Sequence, residues 1–108
     1  MGRTYLANAF SLSMLPTDCV CHFRLATIEE VKRLLSGGFE SAVGHDATAD
    51  FLTRLLGIPV HMRRVALQLT PGDVLAVFQI MQRLPEGKLL TADELANVPY
   101  KFFIVHVQ

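Results

Sequence analysis

The chain lacks several features that would mark a secreted, metal-binding or nucleic-acid-coating protein. Its 108 residues include no tryptophan and only two cysteines, and its ten basic residues are balanced by ten acidic ones. A protein that coats nucleic acid usually carries a basic excess, because the neutralisation of phosphates dominates its affinity. The zero net charge therefore disfavours a general DNA-binding surface and is compatible with a small ligand held by a few placed donors.

The cysteines and histidines have no spacing typical of a metal site. Cys19 and Cys21 lie two residues apart, and a disulfide between them would close a small, strained ring. We therefore expect two reduced thiols, as in a cytoplasmic protein. Zinc would need more ligands at closer spacing, so no metal and no other cofactor is expected. The histidines are scattered over four positions, namely His22, His45, His61 and His106.

Long apolar runs are also missing. No stretch approaches the roughly 20 apolar residues of a membrane span, and the N-terminus lacks the order of a signal peptide. The apolar fraction of 51% and the mean hydropathy of +0.35 are sufficient for one hydrophobic core. The sequence thus predicts one domain over residues 1–108 of a soluble, cytoplasmic protein, located in the host cytoplasm if the chain is viral.

Hydrophobic periodicity predicts alternating strands and helices. This pattern indicates the α/β (α+β) class, with a single domain whose mixed β-sheet of about five strands is flanked by helices. The fourth strand changes phase around Arg63–Arg64, where a bulge or a hairpin turn is expected. Strands are predicted in RTYLANAF, CVCHFRLAT, FESAVG, PVHMRRVALQLT and YKFFIVHV. The second has the alternation of a half-buried strand, and the last is apolar nearly throughout, which is typical of a central strand or of one covered on both faces. Helices are predicted in TIEEVKRLLSGG, HDATADFLTRLLG, the DVLAVFQIMQRL stretch and TADELANV. Thr27 with Glu30 and Thr91 with Glu94 are predicted capping boxes, Gly57 is expected to end the second helix, and Asp73 is expected to cap the third.

The predicted third helix begins at Asp73, ends before Pro85 and combines an apolar stripe with a polar face. The face would contain four residues if the helical path continued past Pro85. One interpretation is a solvated surface with a weak ion pair. The other is a set of hydrogen-bonding groups aimed at a ligand, which the two amides beside an arginine favour. The four residues are Gln79, Gln82, Arg83 and Glu86.

His45 lies at the predicted start of the second helix, directly after Gly44. It could simply cap the helix or pack on the strand end. Alternatively, the unpaired N–H groups of a helix start attract anions, and Gly44 lets a ligand approach the backbone closely. A histidine in that position could transfer a proton near pH 7.

Three further residues also have a structural and a ligand-binding interpretation. Asn8 and Ser11 follow the first predicted strand, where α/β proteins often bind ligands, although both residue types also serve ordinary turns. Arg64 lies at the phase change and is either a surface cation or a ligand contact.

Five segments together resemble the viral anti-CRISPR ring nucleases and their bacterial and phage relatives. The segments are LANAFSLSML, AVGHDATADFL, RRVALQL, GDVLAVFQIMQRLPEGKLL and FFIVHV, and they follow in the same order over nearly the whole chain. The combination of NAFS, GHxxT and QRLxEG is specific, whereas each of them alone is weak. One departure is Ser13, where many relatives have asparagine. Serine is shorter than asparagine and offers fewer hydrogen-bond donors.

The resemblance implies a homodimer that binds cyclic tetra-adenylate at its interface and cleaves it without metal. The products would be linear di-adenylates with 2′,3′-cyclic phosphate ends, and cleavage would switch off type III CRISPR signalling. The family's catalytic positions fall on His45, Arg83 and Glu86. Its ligand-binding positions fall on Asn8, Ser11, Gly44, Thr48, Arg64, Gln79 and Gln82. The alternatives are a module that binds such a nucleotide without cleaving it, and a small regulatory protein that binds DNA or a protein.

Overall fold

A computed structural model describes residues 2–82 and 90–108, which form a five-stranded sheet with helices. The predicted fold class is confirmed. The strands are β1 Thr4–Ala7, β2 Cys21–Ala26, β3 Glu40–Ala42, β4 Val74–Ile80 and β5 Tyr100–Val107. The helices are α1 Ile28–Leu35, α2 Asp46–Leu56 and α3 Ala92–Leu95, and a 3₁₀ turn spans Leu12–Met14.

The strand order is β2-β5-β4-β1-β3, and the sheet is mixed. β1 runs parallel to both β3 and β4, whereas β5 is antiparallel to β2 and β4. Ala7 of β1 pairs with Ala42 of β3 and with Val77 of β4. The carboxyl ends of these three strands therefore meet at one edge of the sheet, where open α/β sheets commonly bind ligands.

The sheet is covered differently on its two sides. On the helix face, Leu6, Ala76, Phe78 and Phe102 form a core with buried residues of the three helices. On the other side, the loop face, the buried strand residues Tyr5, Ala7, Leu75, Val77, Val105 and Val107 are covered by loop residues instead. Those loops are residues 8–20 and 63–70, which contribute Met14, Leu67 and Leu69.

The prediction of a third helix is wrong, because the chain forms strand β4 at Val74–Ile80. β4 lies between β5 and β1, and the sheet is packed on both faces there. Leu75 and Val77 are buried on the loop face, while Ala76 and Phe78 are buried on the helix face. A strand buried on both faces has a continuous apolar run, which periodicity alone does not distinguish from a buried helix.

The prediction of a strand over residues 59–70 is also wrong. Among the described residues, its β-pairing is limited to an isolated parallel bridge between Met62 and Val43. The Arg63 N–H donates to the Val43 carbonyl at 2.8 Å, and no ladder follows. Pairing thus ends at the predicted phase change. The predicted number of strands was nevertheless correct, because β4 replaces this segment in the sheet.

β2 is an edge strand and is more exposed than its alternating pattern predicts. Phe23 and Leu25 on its loop-face side are each 57% exposed, because the loops cover only part of that side. Cys21 begins the strand, and its thiol and that of Cys19 are free. Burial raises the pKa of the Cys21 thiol, and the neighbouring Cys19 acts in the same direction. A raised pKa lowers the thiolate fraction and so favours an unreactive thiol.

The predicted helix boundaries are largely confirmed. Thr27 and Glu30 form the capping box of α1, and Thr91 and Glu94 form that of α3. The bond from the Thr27 backbone and the bond from the Arg24 side chain hold the pKa of Glu30 below its ordinary value. α2 ends at Gly57, whose φ of 67° is a left-handed conformation that glycine adopts readily.

Asp73 is not a helix cap but a buried carboxylate beside β4. It is 3% exposed and accepts hydrogen bonds from the Arg3 N–H at 2.9 Å and from the Thr70 N–H at 2.8 Å. The Thr70 hydroxyl donates a third bond at 3.3 Å. The carboxylate therefore joins the chain before β1 to the turn that leads into β4.

We expect Asp73→Ala to lower the free energy of unfolding by about 2–3 kcal/mol, because two backbone N–H groups lose a charged acceptor. Urea unfolding followed by circular dichroism measures the change. Asp18→Ala is the matched control, because Asp18 is exposed and its replacement removes the same charge. Equal stability of the two variants would show that the Asp73 hydrogen bonds contribute little.

Candidate functional site

Three of the predicted ligand-binding residues meet at the carboxyl edge of the parallel strands. Asn8 directly follows β1, and its side-chain oxygen accepts a hydrogen bond from the Gly44 N–H at 3.2 Å. The Gly44 carbonyl accepts a hydrogen bond from Nε of Arg64 at 2.9 Å. Gly44 itself lies between β3 and α2. The fold therefore brings together three positions that are well separated in the sequence.

These residues line an open cleft of about 530 Å³ at the end of the loop face. Its remaining walls are mainly apolar, with Met14 from the 3₁₀ turn and Val65 and Leu67 from the following loop. The cleft thus combines an apolar lining with a few polar groups, an arrangement typical of small-molecule sites.

His45 follows Gly44 and is the N-cap residue of α2. Its backbone is extended, with φ of −136° and ψ of 135°, and its side chain makes no capping hydrogen bond. The side chain is exposed, and no partner for the imidazole exists among residues 2–82 and 90–108. His45 is thus the cap of α2 by position, as one of the two interpretations expected, but its side chain takes no part in capping. Its imidazole is available to a ligand at the positive end of the helix.

The other predicted ligand-binding residues do not line the cleft. Thr48 is buried in the first turn of α2. Ser11 is exposed in the loop after β1, and its hydroxyl lies 2.7 Å from that of Ser13. Gln79 is exposed near the end of β4 and donates to the Ile80 carbonyl at 3.0 Å. Gln82 is exposed two residues beyond β4.

The predicted polar helix face does not form as such. Gln79 belongs to a strand, so Gln79 and Gln82 do not share a helical surface. Gln79 instead lies two residues past Val77, which pairs with Ala7, and so occupies the same edge of the sheet as Asn8. Arg83 and Glu86, two of the three predicted catalytic residues, lie outside the described residues.

The two adjacent arginines at this edge differ in their surroundings. The Arg63 guanidinium lies 3.5 Å from the Glu40 carboxylate, which also pairs with Arg3 at 3.2 Å. None of the ion pairs found in the described part of the chain includes Arg64. The positive charge of Arg64 is therefore not offset by a bound carboxylate there and can attract an anion.

Sequence reasoning missed the walls of the cleft. Met14 and residues 64–67 form much of it, but the latter segment was assigned to a strand. The alternation of Val65, Leu67 and Leu69 did indicate an apolar face. Nothing in the sequence indicated that this segment would cover the sheet rather than join it.

The described residues contain neither a cluster suited to a metal ion nor a helix suited to span a membrane. No group of three or more histidine, cysteine, aspartate or glutamate side chains there could hold a metal ion. Likewise, none of the helices in that part of the structure has the length and apolar character needed to cross a membrane.

The fold and the cleft define a class of small α+β proteins in which a helix start and a loop arginine meet at the carboxyl edge of a mixed five-stranded sheet. Residues 4–102 match the protein family described as STIV B116-like, and the chain belongs to this family. The expected kinship with a family of viral proteins is thus confirmed at that level.

Individual relatives extend the match to viruses and a bacterium. The chain is 38% identical over 106 residues to uncharacterized protein 26 of Sulfolobus islandicus filamentous virus, covering 95% of this chain and 90% of that protein. It is 34% identical over 82 residues to the uncharacterized protein YddF of Bacillus subtilis, covering 73% and 76%.

A solved structure shows the same fold. B116 of Sulfolobus turreted icosahedral virus superposes with a TM-score of 0.74 at 31% sequence identity. The match covers 97% of this chain and 99% of B116. The five-stranded architecture is therefore that of the family and not a feature of this chain alone.

Proposed function

We propose that this protein is a metal-independent ring nuclease that cleaves cyclic tetra-adenylate and so switches off type III CRISPR signalling in the cytoplasm. The observation that carries the proposal is the unpartnered imidazole of His45 at the start of α2, directly beside a cleft that contains Arg64 and Asn8. A proton-transfer group, a positive charge and amide donors are what the cleavage of an RNA phosphodiester requires.

The chemistry assigns a role to each catalytic residue. The ribose 2′-hydroxyl loses its proton to solvent water and attacks the adjacent phosphorus, and the bond from phosphorus to the 5′-oxygen breaks, leaving a 2′,3′-cyclic phosphate and a 5′-hydroxyl. His45 donates the proton to the leaving 5′-oxygen as general acid. From the family resemblance, Arg83 stabilises the charge on the phosphorane, and Glu86 orients one of these groups or the 2′-hydroxyl.

Substrate binding in this proposal does not need a basic surface. Asn8 and Arg64 hold the ring with amide and guanidinium donors, and Gly44 lets it approach the backbone closely. The family resemblance adds Ser11, Thr48, Gln79 and Gln82 as ligand-binding positions, although none of them lines the cleft. This set agrees with the zero net charge of the chain. It also agrees with a ligand whose four phosphates are held at close range by a few donors.

A homodimer is part of the proposal. Val65, which lines the cleft, is 42% exposed. Leu12 and Met62, each two residues from a lining residue in the sequence, are 79% and 42% exposed. Exposed apolar patches at a cleft are typical of protein interfaces. Two copies related by a two-fold axis would present one His45 each to opposite linkages of the ring, so that two cuts release two di-adenylates.

The direct test is to incubate the purified protein with radiolabelled cyclic tetra-adenylate in the presence of EDTA. We expect linear di-adenylate with a 2′,3′-cyclic phosphate, identified by chromatography against standards. Absence of product, or product only when a divalent metal is added, would contradict the proposal. Size-exclusion chromatography with light scattering tests the dimer.

The second candidate function is a module that binds and sequesters such a nucleotide without cleaving it. It is favoured by one observation, namely that His45 lies next to the cleft but does not line it. Calorimetry with cyclic tetra-adenylate separates the two functions. Tight binding with the ring recovered intact would support the sequestering module.

A further inference from the structure

Gly44, the residue that precedes His45, is held through both of its backbone polar groups. The Gly44 N–H is bound by Asn8, which follows β1, and the Gly44 carbonyl is bound by Arg64 from the loop. We infer that Asn8 and Arg64 are positioning residues, which fix the backbone at His45 and thereby the direction of its imidazole. As far as catalysis is concerned, this inference rests on the proposed function.

On the Asn8 side, the hydrogen bond determines how the amide is oriented. A backbone N–H can only donate, so the atom 3.2 Å from the Gly44 nitrogen is the side-chain carbonyl oxygen Oδ1. The Nδ2 group then has two donors, and within the described ranges they make no hydrogen bond with protein. Asn8 therefore has one function toward Gly44 and a second, separable one toward a ligand in the cleft.

On the Arg64 side, only Nε is used by the Gly44 carbonyl, at 2.9 Å. The loop that carries Arg64 is itself fixed to the end of β3. The Arg63 N–H donates to the Val43 carbonyl at 2.8 Å, and the Ser41 hydroxyl donates to the His61 carbonyl at 2.6 Å. Arg64 thus reaches Gly44 from a segment that has little freedom to move.

The consequence for His45 follows from the connectivity. The Gly44 carbonyl belongs to the peptide unit whose nitrogen is that of His45, so Arg64 fixes the amino side of the residue. The carbonyl of His45 accepts the Ala49 N–H at 3.0 Å, which fixes the carboxyl side. Only the side-chain torsions of His45 remain adjustable. A preorganised proton donor of this kind needs little reorganisation in the transition state.

Asn8 variants test the inference with and without substrate. Asn8→Ala removes the acceptor of the Gly44 N–H, and we expect hydrogen exchange of that amide to accelerate by roughly tenfold. Asn8→Asp keeps an acceptor at the same place and should retain the protection. Unchanged Gly44 exchange in Asn8→Ala would overturn the inference whether or not the protein is an enzyme.

Kinetics then separate positioning from binding. Asn8→Asp should keep kcat within about threefold of wild type while KM rises by about tenfold or more, because it has lost two donors to the ligand and gained a negative charge. Asn8→Ala should lower kcat by about tenfold or more. Equal kcat values in the two variants would overturn the positioning function of Asn8.

Arg64→Ala tests the hydrogen bond to the Gly44 carbonyl. Its loss should shift the backbone ¹⁵N resonance of His45, since the hydrogen-bonded carbonyl polarises the amide that follows it. Arg63→Ala is the matched control, because it removes the same charge one residue away without touching Gly44. If the backbone ¹⁵N resonance of His45 stays at its wild-type position in both variants, Arg64 does not position His45. If wild type cleaves nothing, the proposed function fails, and the exchange and ¹⁵N data still decide the structural inference.

Discussion

Replacing His45 by alanine is expected to lower the rate of cyclic tetra-adenylate cleavage by about 10²–10⁴-fold, the usual contribution of a general acid. The 5′-oxygen of ribose is a poor leaving group unless it is protonated as the bond to phosphorus breaks. The imidazole has no other partner within residues 2–82 and 90–108, so its removal should not disturb the fold. Single-turnover assays in EDTA measure the rate of the chemical step itself.

His61→Ala is the matched control for this variant. His61 is also exposed, and its backbone carbonyl accepts a hydrogen bond from the Ser41 hydroxyl. We expect His61→Ala to cleave at the wild-type rate and both variants to unfold at the wild-type midpoint. Undiminished cleavage by His45→Ala would remove His45 from the mechanism even if the protein proved to be a ring nuclease.

Phe78→Ala is expected to lower the free energy of unfolding by about 3–5 kcal/mol, the cost of deleting a fully buried aromatic ring. Phe78 is 1% exposed at the centre of the helix face. Its ring lies 5.7 Å from that of Phe51, 5.2 Å from Tyr100 and 5.6 Å from Phe102, measured between centroids. The ring thus packs β4 against α2 and against the neighbouring strand β5.

Gln79→Ala provides the comparison, because Gln79 is the next residue and is exposed on the opposite face of β4. An exposed position should change stability by no more than about 0.5 kcal/mol. Chemical denaturation of both variants, monitored by circular dichroism, measures the difference. A cost below about 1 kcal/mol for Phe78→Ala would contradict the central, doubly buried placement of β4.

The sequence predicted most reliably the elements that local interactions define. The capping boxes at Thr27 and Thr91, and the glycine that ends α2, were all read from residues within one helical turn. β5 was predicted as an interior strand, and it pairs on both sides. These features depend on hydrogen bonds and backbone preferences between near neighbours, which the sequence contains directly.

The two errors in the fold have a common cause. β4 was taken for a helix, and residues 59–70 were taken for a strand, because both segments are apolar and lie next to each other in the chain. Which of them joins β1 depends on a parallel pairing with residues about 70 positions away, as the register of Thr4 with Val74 illustrates. Periodicity within a short window contains no information about such a partner.

At the candidate site, the sequence alone determined the junction of strand, Gly44 and His45, since the glycine, the histidine and the start of α2 are adjacent. Only the tertiary structure decided that Asn8, 36 residues before Gly44, and Arg64, 20 residues after it, bind the N–H and the carbonyl of this glycine. The physical reason is the parallel arrangement of β1, β3 and β4. It brings the ends of distant strands to one edge, and no local preference of the chain specifies which residues will meet there.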